Sequence, residues 1–273
     1  MLSKSGRDVA SAAPSVHNMD MAVAGAQVVG RVAAVLRAVS GAMPAGLGTT
    51  TIADATGLSR PTVHRILTSL ASDGFVDHDA ANGRWYLGPE LYLMGAIAAE
   101  RYDITGVARD SVRALAAATG ESAFLSARRG NETVCLLREE GSFPIRSFVL
   151  YEGIRFPLGV ASAGLAILAF LPDETVERYL ATVDLTERFG PAHAPAQVRA
   201  RVAETRAHGY AVNPGLIVEG SWGLGAAVFD ASGQPAWALS LTGVESRFTP
   251  DRQPELGRLL LEHAHRISQR LGR

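Results

Sequence analysis

The apolar positions divide the chain into two regimes. From Gln27 to Ser40, "QVVGRVAAVLRAVS" places Val28, Val32, Val35, Leu36 and Val39 on one stripe of a helix. Gly and Pro break the pattern in "GAMPAGLG". The segment "TTTIADATG" then reads as a Thr-capped short helix stopped at Gly57, with Thr50 and Thr51 in its first turn. "LS" makes a tight turn, Ser59 caps a further helix, and Pro61 sits in that helix's first turn, where proline is tolerated. Val63, Ile66, Leu67 and Leu70 recur at the 3.6-residue period as its buried stripe. At ~100° per residue, His64, Arg65 and Thr68 project on the opposite side, with Arg60 and Thr62 at the N-terminal end. Helix, short helix, turn and longer helix within so short a span is the spacing of a helix-turn-helix.

Any surface helix carries polar residues on its outer side, so this face alone decides nothing. The next segment is more specific. "FVDH" alternates like a strand, "DAANG" reads as a hairpin turn, and "RWYLG" alternates again. A hairpin after the second helix makes the unit winged, and the ordered combination points to DNA. The helix N-terminus would meet phosphate while its exposed face reaches base edges in the major groove. In this reading Arg65 pairs with guanine or phosphate, and Ser59, Thr62 and Thr68 fix register on the backbone. In the wing, Arg84 beside Asn82 and Gly83 is placed for a phosphate or the minor groove. A helix over "GPELYLMGAIAAERYD" then joins two units, packing against its twin in another subunit or within its own core.

From Ile104 the pattern changes. "ITGVARDSVRALAAATG" is a helix, and "SAFLSARR", "TVCLLREE" and "IRSFVLYEG" read as strands split by turns at Gly130-Asn131 and Gly141. "ASAGLAILAFL" is a buried helix, "DETVERYLATV" and "PAQVRARVAETRAHG" are amphipathic helices, and "GLGAAVFD" with "PAWALSLTGV" forms a hairpin. A helix over "QPELGRLLLEHAHRISQRLG" closes the chain. Strands in hairpins with helices at the ends predict an α+β unit with an antiparallel sheet. Helices on one face of that sheet would leave the other for a small-molecule pocket.

Composition narrows the function. The 273 residues suffice for two units, and 47% are hydrophobic. No apolar run approaches the ~18 residues of a spanning helix, and residues 1–24 carry no signal-peptide h-region and read as a disordered tail. The single cysteine, Cys135, excludes an internal disulfide and fits a reducing cytoplasm. A net charge of −1 means that DNA binding must rest on local geometry and on a dimer or tetramer, not on bulk charge.

No catalytic or cofactor constellation stands out. His263 and His265 are two apart on a helix and read as solvated surface residues, a poor metal pair. "GLGTTT" lacks the last glycine of a dinucleotide fingerprint, Ser162 in "ASAG" lacks the glycine of a nucleophile elbow, and Cys135 sits in an apolar strand as core.

"GLSRPTVHRILTSLASDGFVDHDAANGRWYLGPELYLMG" resembles the winged DNA-binding domain of the isocitrate lyase regulator (IclR) family of bacterial transcription factors. "FPLGVASAGLAILAFLP" and "HGYAVNPGLIVEGSWGLGAAVFDASGQPAWALSLTG" are similar to its GAF-like effector-binding domain. The resemblance implies a winged helix-turn-helix at 25–88, a linker helix at 89–103 and a GAF-like domain at 104–273. It also implies a homodimer or tetramer on double-stranded operator DNA, tuned by a small carboxylate, with no membrane contact. The family's pocket contacts match Ser162 and Ala163, whose backbone N–H groups at a helix start form a ready anion site. Its polar pocket residue matches Asn213, its occasional cysteine matches Gly223 beside Trp222, its strand hydroxyls match Ser240 and Thr242, and its apolar walls match Ile145 and Phe156. The chain departs from the family's "PLHATALGK", with Gly159 for the His and Leu165 for the Lys. Ser221 and Trp222 replace its usual aliphatic–Arg pair. A Trp and several glycines suit a flat aromatic acid better than glyoxylate or pyruvate. Two other readings stay open on the residues alone: a metabolite-processing enzyme with a helical N-terminal appendage, and a winged-helix protein–protein module.

Overall fold

The computed structural model describes residues 27–101, 104–145 and 148–272, so the predicted N-terminal tail lies outside the described residues. The chain divides into two compact units between residues 102 and 103.

In the first unit, α1 (Gln27–Ser40) buries Ala34, Val35 and Val39. The stripe predicted for it fails at its start, where Val28 is 62% exposed because no described residue packs over the first turn. A two-residue strand, β1 (Leu47–Gly48), which the sequence pattern did not suggest, precedes α2 (Thr49–Thr56). The N-cap of α2 is Gly48 and not a threonine; the Thr49 hydroxyl instead accepts a hydrogen bond from the Trp85 indole N–H at 3.0 Å. Gly57, at φ 66°, stops the helix in the left-handed region. α3 (Arg60–Ser72) starts from an extended Ser59 and buries Val63, Leu67 and Leu70, with Ile66 half-buried.

The wing consists of β2 (Val76–Asp79) and β3 (Arg84–Leu87), paired antiparallel with Asp79 opposite Arg84; β1 adds to the far side of β3. Its turn is held by the Asp79 carboxylate, which accepts from the Ala81 N–H at 2.8 Å and from the Asn82 amide at 2.7 Å. Val35, Val39, Ile52, Val63, Leu67, Val76 and Trp85 close one small core. α4 (Pro89–Arg101) comes after the wing.

In the second unit, α5 (Ile104–Thr119) leads into β4 (Ser122–Arg129) and β5 (Glu132–Glu139). The strand predicted over "IRSFVLYEG" is not there. Phe148, 76% exposed, and Tyr151 lie in a loop, and 146 and 147 fall outside the described residues. The chain rejoins the sheet where the Gly153 N–H meets the Cys135 carbonyl at 2.8 Å and the Cys135 N–H meets the Ile154 carbonyl at 3.0 Å, and β6 (Arg155–Pro157) begins. Alternating side chains can be produced by a loop with one side on the protein, so periodicity misread it. Then come α6 (Ser162–Ala169), α7 (Asp173–Thr182), a short α8 (Thr186–Phe189) and α9 (Pro195–His208). β7 (Ala211–Pro214), β8 (Ser221–Phe229), β9 (Pro235–Val244) and α10 (Gln253–Leu271) complete the unit.

The six strands form an antiparallel sheet in the order β6-β5-β4-β9-β8-β7. Successive side chains alternate between its faces. Leu125, Leu224, Leu239 and Leu241 meet α5 and α10 on one side, whereas Phe124 and Ala238 meet α6, α7 and α9 on the other. Helices therefore cover both faces, contrary to the one-sided sheet expected. The cause is α6: all eight of its residues are buried, so it must be enclosed on every side.

Two glycines permit this enclosure. A Cβ on Gly225 of β8 would lie 2.7 Å from the Ser162 carbonyl carbon and oxygen, so only glycine lets the start of α6 rest on the strand. Gly159 holds φ 83°, a conformation a side chain disfavours, in the turn that delivers α6. At the other end, Glu121, its side chain 1% exposed, accepts from Arg247 Nε and Arg252 Nη1, each at 2.7 Å, pinning the start of β4 to the entry of α10.

Gly225→Ala is expected to lower stability by about 1–3 kcal/mol, because backbone and not a flexible side chain obstructs the new methyl. Urea denaturation measures this, and wild-type stability in the variant would show that α6 does not need the close approach.

Candidate nucleic-acid interface and ligand cleft

The outer face of α3 exposes Arg60, Pro61, His64, Arg65 and Thr68, opposite the buried Val63 and Leu67. Ser69, which sequence periodicity did not single out, is exposed on the same helix. α3 carries two arginines and no carboxylate, so its face is cationic although the chain as a whole is not. The Ser59 and Thr62 hydroxyls lie 2.8 Å apart and bond each other, so Ser59 serves its neighbour's side chain and not a backbone N–H of the helix. Thr50 and Thr51 are exposed in the first turn of α2.

The wing residues sit differently from expectation. The Arg84 guanidinium donates from Nη1 to the Ala45 and Gly46 carbonyls, both at 3.1 Å, and so binds the wing to the loop before β1. Asn82 is engaged within the turn: its carbonyl accepts from the Arg84 N–H at 2.9 Å, and its amide donates to Asp79. Both side chains remain at an exposed tip. Their reach toward a phosphate competes with bonds they already make.

In the second unit a cleft opens at the start of α6. Of the residues expected there, Ser162, Asn213, Trp222, Gly223 and Thr242 line it. Four do not. Ile145 is 61% exposed in the loop before 146, and Phe156 and Ala163 belong to the core under α6. Ser240 is fully buried, its hydroxyl without a partner among the described residues. Val149, Leu150, Ala161, Ile217 and Ser221 complete the lining and were missed. Three of them lie in the 148–154 and 215–220 segments, and no periodicity indicates which strand a loop will cover.

Ala161 precedes α6 in an extended conformation and no side chain caps the helix. Its first-turn N–H groups, which an α-helix cannot satisfy internally, therefore stand at the cleft with the positive end of the dipole. Asn213, by contrast, is held at both ends of its amide. Its amide donates to the Val160 carbonyl at 2.7 Å and its carbonyl accepts from the Leu216 N–H at 2.9 Å, so it shapes the wall. Trp222 touches the cleft, but strand alternation sends its ring toward the opposite face, against the core beneath α10. The cleft holds about 20 Å³, the space of one water molecule. That is too small for an organic acid unless the cleft widens.

Neither the histidines nor the cysteine adds chemistry. His263 is buried, contrary to expectation, because it falls on the same side of α10 as Leu260 and Ile267; burial and then Arg266 lower its pKa. His265 is exposed and contacts Gln269. Cys135 is buried, and burial, with the Glu152 carboxylate, pushes its thiol up to about 12, far from a usable thiolate. Among the described residues no group of three His, Cys, Asp or Glu side chains could hold a metal, and no helix is long and apolar enough to cross a membrane.

The profile of the IclR helix-turn-helix domain matches residues 28–80, and that of the bacterial transcriptional regulator IclR C-terminal domain matches residues 96–269. The HTH-type transcriptional regulator KipR of Bacillus subtilis (strain 168) is 31% identical over 218 residues, covering 80% of this chain and 86% of that protein. The HTH-type transcriptional repressor AllR of Klebsiella pneumoniae is 32% identical over 214 residues, covering 77% and 78%. Among solved structures, an IclR transcriptional regulator from Alicyclobacillus acidocaldarius superposes with a TM-score of 0.75 at 26% identity, covering 89% of this chain and 98% of that one. An IclR homologue from Microbacterium hydrocarbonoxydans, solved in complex with 4-hydroxybenzoate, shares the fold with a TM-score of 0.73 at 22% identity, covering 89% and 98%. With a helix-turn-helix and wing in the first unit and both family domains matched along the chain, the chain belongs to the IclR family of helix-turn-helix transcriptional regulators.

Proposed function

We propose that this chain reads operator DNA with the exposed face of α3 and releases or tightens its grip when a small organic acid, of aromatic type, binds at the start of α6. The observation that carries the DNA reading is the segregation on α3: Arg60, His64, Arg65 and Thr68 outward, Val63, Leu67 and Leu70 inward. Arg65 is the base reader and Ser59, Thr62 and Thr68 set the register on phosphates. Thr50 and Thr51 add backbone contacts from α2. The uncapped start of α6 supports an anionic effector, as does the 4-hydroxybenzoate found with the Microbacterium hydrocarbonoxydans homologue. The chain performs no catalysis in this reading.

One short helix face on a chain of net charge −1 gives weak DNA affinity, so two chains act together on paired half-sites. The apolar residues of α4 support the pairing: Tyr92, Leu93, Met94 and Ile97 are 78%, 51%, 51% and 73% exposed within one chain. Exposed apolar clusters of this kind mark contact surfaces.

Arg65→Ala is expected to weaken operator binding by about 1–3 kcal/mol while the fold is kept, measured by gel shift on the footprinted site. An unchanged affinity in a folded variant would remove Arg65 from the interface.

Sedimentation should find a dimer or a larger assembly, and Ile97→Lys should shift it toward monomer with loss of operator affinity. A wild-type monomer that binds its operator tightly contradicts the pairing.

Ser162→Asp places a negative charge where the carboxylate would sit and should abolish the response of operator binding to the effector. A variant that responds as the wild type does puts the effector elsewhere.

A further inference from the structure

The cleft at α6 is not the larger depression on the second unit. A groove of about 840 Å³ runs along the sheet edge at β7, between α9 and α10. That is ample for a small organic ligand, whose sites typically span about 300–1,000 Å³. One wall is a stripe of α9, with Arg201, Thr205 and His208 at helical spacing. The floor and far wall supply Tyr210, Val212, Trp222 and Leu261.

The feature that asks for an occupant is Arg201. α9 carries Arg199, Arg201 and Arg206. Arg199 grips Glu177 at 2.7 Å and Arg206 reaches Asp173 at 2.8 Å. Arg201 has no ion pair among the described residues. Its Nη2 makes a long bond to the Gly159 carbonyl at 3.4 Å, and its Nε is buried without an acceptor among the described residues. Burial pushes its pKa down, and the exposed Glu204 opposes this only through its charge. A half-buried guanidinium with a carboxylate nearby but no ion-pair contact among the described residues is costly, and an anion arriving from the groove would relieve it.

Glu204 and the paired Arg258 and Glu262 also line the groove, and between these charged groups lies a surface that suits a flat apolar body. A Cβ on Gly257 would fall 2.3 Å from the Tyr210 ring, so glycine at that position seats the ring flush on α10. Tyr210, Val212, Trp222 and Leu261 then give an apolar, partly aromatic surface beside the charge of Arg201. Trp222 also borders the cleft at α6, which places the two depressions on opposite sides of one strand position.

We propose that this groove is a second ligand site, for a planar aromatic carboxylate whose acid group pairs with Arg201 and whose ring lies over Tyr210 and Trp222. It is distinct from the cleft at α6 and does not depend on that cleft binding anything.

The test is calorimetric titration of the full-length protein with benzoate, phenylacetate and 2-naphthoate, with benzylammonium as the cationic control. The wild type should bind at least one of the acids and not the amine. Arg201→Gln should weaken that binding at least tenfold, and Arg201→Lys should restore part of it. His208→Trp changes an exposed residue on the rim and should block the groove by volume, which keeps the test decisive if Arg201→Gln fails to fold. Ser162→Asp alters the other cleft and separates the two sites. Acid binding that survives Ser162→Asp but not Arg201→Gln supports the groove. Binding lost in Ser162→Asp and retained in Arg201→Gln overturns the proposal and leaves the α6 reading standing. A wild type that binds none of the three acids also overturns it.

Discussion

The second unit is organised around one constraint, a helix with no polar side. α6 buries every residue from Ser162 to Ala169, so it can be enclosed completely only if something apolar lies on each side. The sheet supplies one side and α9 another, while α5 and α10 must then cover the sheet's far face. The close approach at Gly225 is part of the same solution, and so is the turn at Gly159. The helix's first N–H groups are what enclosure cannot satisfy. They come to rest where the packing opens, and the cleft at the start of α6 arises from the geometry of burial itself.

Electrostatics in this chain are local. A net charge of −1 says little about a surface on which α3 concentrates two arginines with no acid among them. The same is true in the interior. Glu121 draws two arginines onto one carboxylate, whereas Arg201 lies half-buried with Glu204 acting on it only through its charge and no ion-pair contact among the described residues. Which arginine is structural and which is available is decided by its neighbours and not by its type. Arg84 shows the converse: its place at a wing tip suggests an arm toward DNA, yet its nearest acceptors are the carbonyls of Ala45 and Gly46.

What the sequence determined by itself is what depends on short range. The 3.6-residue stripes, the stop at Gly57, the turn at Asn82-Gly83 and the apolar run of α6 depend on neighbours a few positions apart, and the helix-turn-helix with its wing could be read from them. The outward set on α3 was legible for the same reason, since burying Val63 and Leu67 fixes where Arg65 and His64 point. The tertiary structure alone decided whatever depends on partners distant in the chain. It placed Val149 and Ile217 over Ser162, withdrew Phe156 and Ser240 from the cleft, and sent the Trp222 ring to the far face. It also buried His263 and left the Arg201 Nε without an acceptor among the described residues. A residue's periodicity states which side it faces, but only the fold states what stands there.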